Sequence, residues 1–81
     1  MGSRIVEVLV PDPGEVAEVV VVEWLVPEGG TIAEGDDLVE VESEKAAFVV
    51  PAPATGLLRA QVADVGDRLE VGGLLGQIDA D

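Results

Sequence analysis

One lysine, Lys45, stands in the run Glu42-Ser43-Glu44-Lys45-Ala46, and it is the only lysine of the chain. A lysine amine has three uses in chemistry: Schiff-base nucleophile, general base, or acceptor of an acyl group. The first two need an amine kept neutral by burial or by neighbouring cations. Lys45 has carboxylates beside it instead, at Glu42 and Glu44, so unaided nucleophilic or base catalysis is disfavoured. Acylation by a separate enzyme has no such requirement, because the modifying enzyme supplies both the deprotonation and the activated carboxyl group. The protein then needs only to present one amine without a competing lysine. On composition alone an ordinary solvated surface lysine stays open as the alternative.

The rest of the inventory is poor in chemistry. The chain has no Cys, no His and no Tyr, and its serines are Ser3 and Ser43. That leaves no disulfide, no zinc or thiolate site and no serine–histidine hydrolase. Seventeen carboxylates face only Arg4, Lys45, Arg59 and Arg68, for a formal charge of −13. Such a surface repels phosphate backbones and anionic headgroups, so neither nucleic acid nor a membrane surface is expected as a partner. It favours solubility and steering toward basic protein surfaces, or simply a well-hydrated face. The 48% of hydrophobic residues are Val, Leu, Ala and Ile in short bursts. No run approaches the roughly 18 apolar residues of a spanning helix, and no basic, apolar leader opens the chain. The expectation is a soluble intracellular protein, an acidic monomer.

The elements that must hold Lys45 are readable from punctuation. Pro and Gly recur about every 8–12 residues between segments rich in β-branched residues, the mark of an all-β sandwich or barrel. Strands are expected at Arg4–Val10, Val19–Val26, Thr31–Ala33, Leu38–Glu42, Ala47–Val50, Gly56–Val62, Arg68–Glu70 and Leu75–Asp79. Pro11-Asp12-Pro13-Gly14 reads as a turn, since two prolines and a glycine deny a regular ladder. Val19–Val26 fits a buried helix by periodicity, but its four consecutive valines and the following Pro27 favour a strand. One domain is expected over residues 4–79. Residues 1–3 read as a flexible N-terminus or expression remnant, and residues 80–81 as the start of a linker or the C-terminal end.

An internal repeat sharpens this reading. Gly29, Ile32, Gly35, Leu38 and Val41 recur as Gly66, Leu69, Gly72, Leu75 and Ile78, with every spacing kept. Each glycine suits a tight turn with positive φ, and each aliphatic residue suits a shared core. Two such halves related by a pseudo-twofold predict a flattened barrel or sandwich of two four-stranded antiparallel sheets. The symmetry also locates Lys45. It lies on the hairpin joining the Leu38–Glu42 and Ala47–Val50 strands, opposite the two chain termini, and a hairpin tip on a rigid scaffold is a usual place for function.

Glu42-Ser43-Glu44-Lys45-Ala46 resembles the lipoyl-lysine hairpin of the dihydrolipoyl acyltransferase (E2) components of 2-oxo acid dehydrogenase complexes, which typically read Glu-x-Asp-Lys-Ala. Three further segments resemble the same family in order and spacing. They are Pro11-Asp12-Pro13-Gly14-Glu15, Glu23-Trp24-Leu25-Val26-Pro27-Glu28-Gly29 and Pro51-Ala52-Pro53-Ala54-Thr55-Gly56. Departures are Glu44 for the usual Asp, Pro13 and Val16 where Leu and Gly are common, and Gly30 for a frequent Asp.

The resemblance implies a barrel-sandwich hybrid that carries lipoate as an amide on Lys45 and has no activity alone. Glu42, Ser43, Glu44 and Ala46, with Asp12, Gly14 and Glu15, are the implied recognition residues for the lipoate-attaching enzyme and the partner enzymes. Those partners are a thiamine-diphosphate-dependent decarboxylase (E1), the E2 catalytic core and dihydrolipoamide dehydrogenase (E3). The implied compartment is the bacterial cytoplasm, or the mitochondrial matrix of a eukaryote. A biotinyl carrier domain of a carboxylase resembles the same fold but flanks its lysine with methionine, and here the flanks are Glu44 and Ala46. An unmodified barrel-sandwich adaptor and a glycine-cleavage H protein are the remaining alternatives. The identity of the 2-oxo acid is not encoded in these residues.

Overall fold

In the computed structural model, residues 4–12, 14 and 17–81 are described, and all their regular structure is strand. The eight strands are β1 (Arg4–Leu9), β2 (Glu18–Trp24), β3 (Thr31–Ile32), β4 (Asp37–Glu42), β5 (Ala47–Pro51), β6 (Gly56–Gln61), β7 (Arg68–Glu70) and β8 (Leu74–Ala80). Of the expected Val19–Val26 segment, Val19–Trp24 is strand, consistent with its β-branched run, and Leu25 and Val26 bend away before Pro27. No helix among the described residues is long and apolar enough to cross a membrane.

The strands form two four-stranded antiparallel sheets, ordered β1-β8-β6-β3 and β5-β4-β2-β7. Exchanging each of β1–β4 with its counterpart in β5–β8 turns the first order into the second, so the two sheets are related by the expected pseudo-twofold. They pack face to face without closing into a barrel. The equivalence extends to irregularities in the ladders. β2 slips register against β4 between Val21 and Glu23, and β6 slips against β8 between Leu58 and Ala60 at the matching place. Gly29, Gly35, Gly66 and Gly72 have φ of 87°, 91°, 93° and 86°. Their backbones therefore occupy the left-handed region that glycine enters without steric cost.

Alternation along the strands builds the core. Val19 and Val21 of β2, Leu38, Val39 and Val41 of β4, Leu58 of β6, and Leu75 and Ile78 of β8 are fully buried, with Val8, Val50 and Ala80 beside them. No polar or charged residue among those described is buried, so apolar packing alone fills the space between the sheets.

The expected strands end within a residue or two of the observed ones. Val10, Ala33 and Val62 were expected as strand residues and lie just outside. Val10 N donates to Gly73 O at 2.9 Å and Val62 N to Leu75 O at 3.0 Å. Ala33 N donates to Asp36 Oδ2 at 3.0 Å, which turns the chain into the Gly35 bend. β2 stops at Trp24, although Leu25 N still reaches Leu38 O at 2.9 Å. β8 runs through Ala80, which pairs with both Arg4 and Gly56.

Candidate functional site: the lysine hairpin

β4 and β5 pair up to Glu42 and Ala47, and residues 43–46 make the connection between them. The turn is closed by Ser43 N donating to Ala46 O at 2.8 Å. Ser43 adds its side chain: Oγ donates to Ala46 O at 3.0 Å and accepts from Lys45 N at 3.2 Å and from Ala46 N at 3.1 Å. Local hydroxyl-to-backbone bonding of this kind favours turns over extended ladders. Ser43 is half-buried, while Glu44, Lys45 and Ala46 are exposed. The chain therefore projects Lys45 from the end of the sandwich on a short turn held by its own hydrogen bonds.

The pseudo-twofold sets this tip at the far end from the termini. Glu42, Ser43 and Glu44 are equivalent to Asp79, Ala80 and Asp81, so acidic residues repeat at both ends of the sandwich. At the other end the place of the lysine turn is taken by the separate strands β1 and β8, joined by the Arg4–Ala80 pair.

Beside the hairpin lies an open groove of about 400 Å³, lined by Ala17, Glu18, Val19, Val20, Glu42, Ser43, Glu44 and Arg68. Pairing explains this company. Val20 of β2 is opposite Glu42 on one side and opposite Arg68 of β7 on the other. Arg68 Nη1 also meets Glu18 Oε1 at 2.7 Å, in a pair that is well exposed on both sides. Three carboxylates and one guanidinium thus surround the groove, with Ala17, Val19, Val20 and Ser43 completing its lining.

Of the residues expected at the site, Glu42, Ser43, Glu44 and Ala46 share the hairpin with Lys45, and the first three also line the groove. Asp12 and Gly14 lie in the β1–β2 connection, where Gly14 N donates to Asp12 Oδ1 at 2.9 Å. That connection meets the groove at Ala17, next to Glu18 at the start of β2. The expectations that fall on residues 1–3 and on Pro13, Glu15 and Val16 lie outside the described residues. Arg68 and Glu18 were missed by sequence reasoning. The repeat carried a usable signal for Arg68, because it makes β7 the counterpart of β3 and so an edge strand next to β2.

An amide-linked cofactor needs a primary amine that is exposed, on a projecting turn and without competitors, and Lys45 meets these conditions. Among the described residues no group of three or more acidic side chains is placed to hold a metal ion.

Comparison with known proteins agrees with this geometry. The family described as "Biotin-requiring enzyme" matches residues 6–78. The dihydrolipoyllysine-residue acetyltransferase component of the pyruvate dehydrogenase complex of Haemophilus influenzae is 44% identical over 73 residues, which are 90% of this chain and 13% of that protein. The dihydrolipoyllysine-residue succinyltransferase component of the 2-oxoglutarate dehydrogenase complex of Bartonella vinsonii subsp. berkhoffii is 40% identical over 75 residues, 91% of this chain and 18% of that protein. An acetyltransferase component of the acetoin cleaving system of Cupriavidus necator is 49% identical over 53 residues, 65% of this chain and 14% of that protein. The chain thus spans less than a fifth of the length of these relatives. With a family match over most of its length and relatives of this kind, the chain belongs to the biotin/lipoyl attachment family and is homologous to the lipoyl domains of E2 acyltransferases.

Proposed function

We propose that Lys45 carries lipoate in amide linkage and that the domain serves as a swinging-arm carrier within a 2-oxo acid dehydrogenase complex. The observation that carries this reading is the placement of the chain's sole lysine on the Ser43–Ala46 turn, between Glu44 and Ala46. Methionine flanks, as in biotinyl carriers, are absent from that turn. The relatives quoted above are named for dihydrolipoyllysine, which favours lipoate over biotin within a family that attaches both.

When bound, the lipoyl group supplies a dithiolane that accepts an acyl group together with two electrons and gives them up at separate active sites. The residues of this chain do the rest. The sandwich holds the Lys45 backbone at one end, so the arm extends from a fixed pivot. Tethering through the full-length protein raises the arm's effective concentration at each partner site. Glu18, Glu42 and Glu44 present negative charge around the pivot, which favours approach to whichever surfaces of E1, the E2 core, E3 and the lipoate-attaching enzyme are basic. Asp12 and Gly14 extend the recognised surface along the β1–β2 connection, and Glu15 is assigned to the same recognition on the family resemblance alone. The domain alone turns nothing over and acts as part of an E2 acyltransferase. The quoted relatives come from bacteria, which favours the bacterial cytoplasm over the mitochondrial matrix.

The test offers the lipoylated domain separately to purified pyruvate- and 2-oxoglutarate-specific E1 components with their 2-oxo acids. Transfer of one acetyl or one succinyl group, read by intact mass, is expected with one of them, and that E1 identifies the 2-oxo acid served. Failure of acyl transfer with both, and with E1 components for other 2-oxo acids, would contradict the carrier role.

A further inference from the structure

The three hydrogen bonds of the Ser43 hydroxyl point to a role that recognition by contact does not require. From them we infer that Ser43 is a positioning residue for the acylation of Lys45, acting through the turn and not by touching the modifying enzyme. The inference rests on the reading of Lys45 as an acylation site.

A serine hydroxyl offers one donor and two acceptor lone pairs, and here all three are used within the turn. The donor goes to Ala46 O, which also receives Ser43 N, so the carbonyl is gripped by both the backbone and the side chain of one residue. The two acceptor positions take the amides of Lys45 and Ala46. The amides on either side of the Lys45 α-carbon are thereby tied to a single oxygen. That oxygen in turn sits on the residue next to the last β4–β5 pair. The clamp holds the backbone on both sides of the Lys45 α-carbon at a place where Glu44, Lys45 and Ala46 are all exposed. The equivalent residue at the other end is Ala80, which has no hydroxyl and joins no turn. Within the symmetric frame, the clamp is therefore specific to the end that carries the lysine.

Loss of the hydroxyl exposes the two amides to water and leaves the sandwich intact. The ends of the turn remain joined by the Ser43 N to Ala46 O bond, but Lys45 samples more directions. An enzyme that must meet one amine in one orientation then finds the productive one less often.

The experiment uses the whole domain with lipoate, ATP and a lipoate ligase, and follows the intact mass over time for wild type, Ser43→Ala, Ser43→Thr and Lys45→Ala. Amide hydrogen exchange and urea denaturation are measured on the same proteins. The expected result is a fall of about five- to ten-fold in kcat/KM for Ser43→Ala, with faster exchange at Lys45 and Ala46 and unchanged protection at Leu38 and Leu75. Ser43→Thr, which keeps the hydroxyl, restores both the rate and the turn protection. Lipoylation of Ser43→Ala at the wild-type rate would overturn the inference while leaving Lys45 as the attachment point. Equal loss in Ser43→Ala and Ser43→Thr with turn protection unchanged would also overturn it, in favour of direct contact with the ligase. A wild-type domain that accepts no lipoate would remove the underlying reading together with the inference.

Discussion

Trp24 and Gln61 occupy equivalent positions in the two halves and make equivalent crossed bonds. Trp24 Nε1 donates to Ala63 O at 2.9 Å, and Gln61 Nε2 donates to Val26 O at 3.0 Å. Each side chain leaves the end of its strand to hold the connection that follows the other strand, so the pair fastens the two halves across the pseudo-twofold. Trp24→Phe keeps most of the ring and removes the donor, leaving the carbonyl of buried Ala63 without that partner. A loss of about 1–3 kcal/mol is expected, read as a lower urea midpoint with unchanged slope. Gln61→Leu is expected to act in the same direction on Val26. A Trp24→Phe midpoint equal to wild type would show that the indole bond contributes nothing net.

Gly76 faces Trp24 closely. A Cβ there would come within 2.6 Å of Ala60 O and 3.0 Å of Trp24 Cη2, whereas the equivalent position in the first half is the fully buried Val39. Gly76→Ala is expected to cost about 1–3 kcal/mol through overpacking. Because the backbone carbonyl cannot swing away as a side chain can, Trp24 must also shift, and its fluorescence should change. A variant with wild-type stability and emission would contradict the contact.

Leu58 is fully buried at the centre of the core. Leu58→Ala should destabilise by about 2–5 kcal/mol, a large share of what so small a domain possesses. The thermal transition followed by far-UV circular dichroism should fall accordingly. A shift of a degree or two would mean that the two sheets are less tightly packed than described.

Much of this fold is legible in the sequence, for identifiable reasons. Glycines and prolines mark most of the turns between strands, and the repeat from Gly29 to Val41 and from Gly66 to Ile78 fixes which strands are equivalent, hence the two matching sheet orders. Strand ends are less legible because hydrogen bonds from outside the ladder decide them. Val10 bonds to Gly73 and Ala33 to the Asp36 carboxylate, and neither partner is visible in local pattern. The site divides in the same way. Lys45 and its turn are contiguous in the chain and so can be read directly. Arg68 reaches the groove only through its pairing with Val20, which in turn pairs with Glu42, a relation made by the sheet and not by neighbouring residues. The threefold bonding of Ser43 depends on the turn geometry and has no sequence signature beyond a serine in a turn.

Arg68 and Glu18 form a short ion pair at the groove, but both are exposed, at 68% and 45%. Solvent screening keeps such pairs to less than about 1 kcal/mol. Arg68→Gln is therefore expected to leave the urea midpoint nearly unchanged in 0.5 M salt, while altering recognition by partners that approach the hairpin. A large loss of stability would show that Arg68 holds β7 to β2 by more than this pair.

The most direct measurement is the intact mass of the domain after incubation with lipoate and a lipoate ligase, in parallel with biotin and a biotin ligase. The account predicts a gain of one lipoyl unit, lost in Lys45→Arg, and no biotin adduct. A biotin adduct, no gain with lipoate, or a lipoyl gain that persists in Lys45→Arg would contradict it.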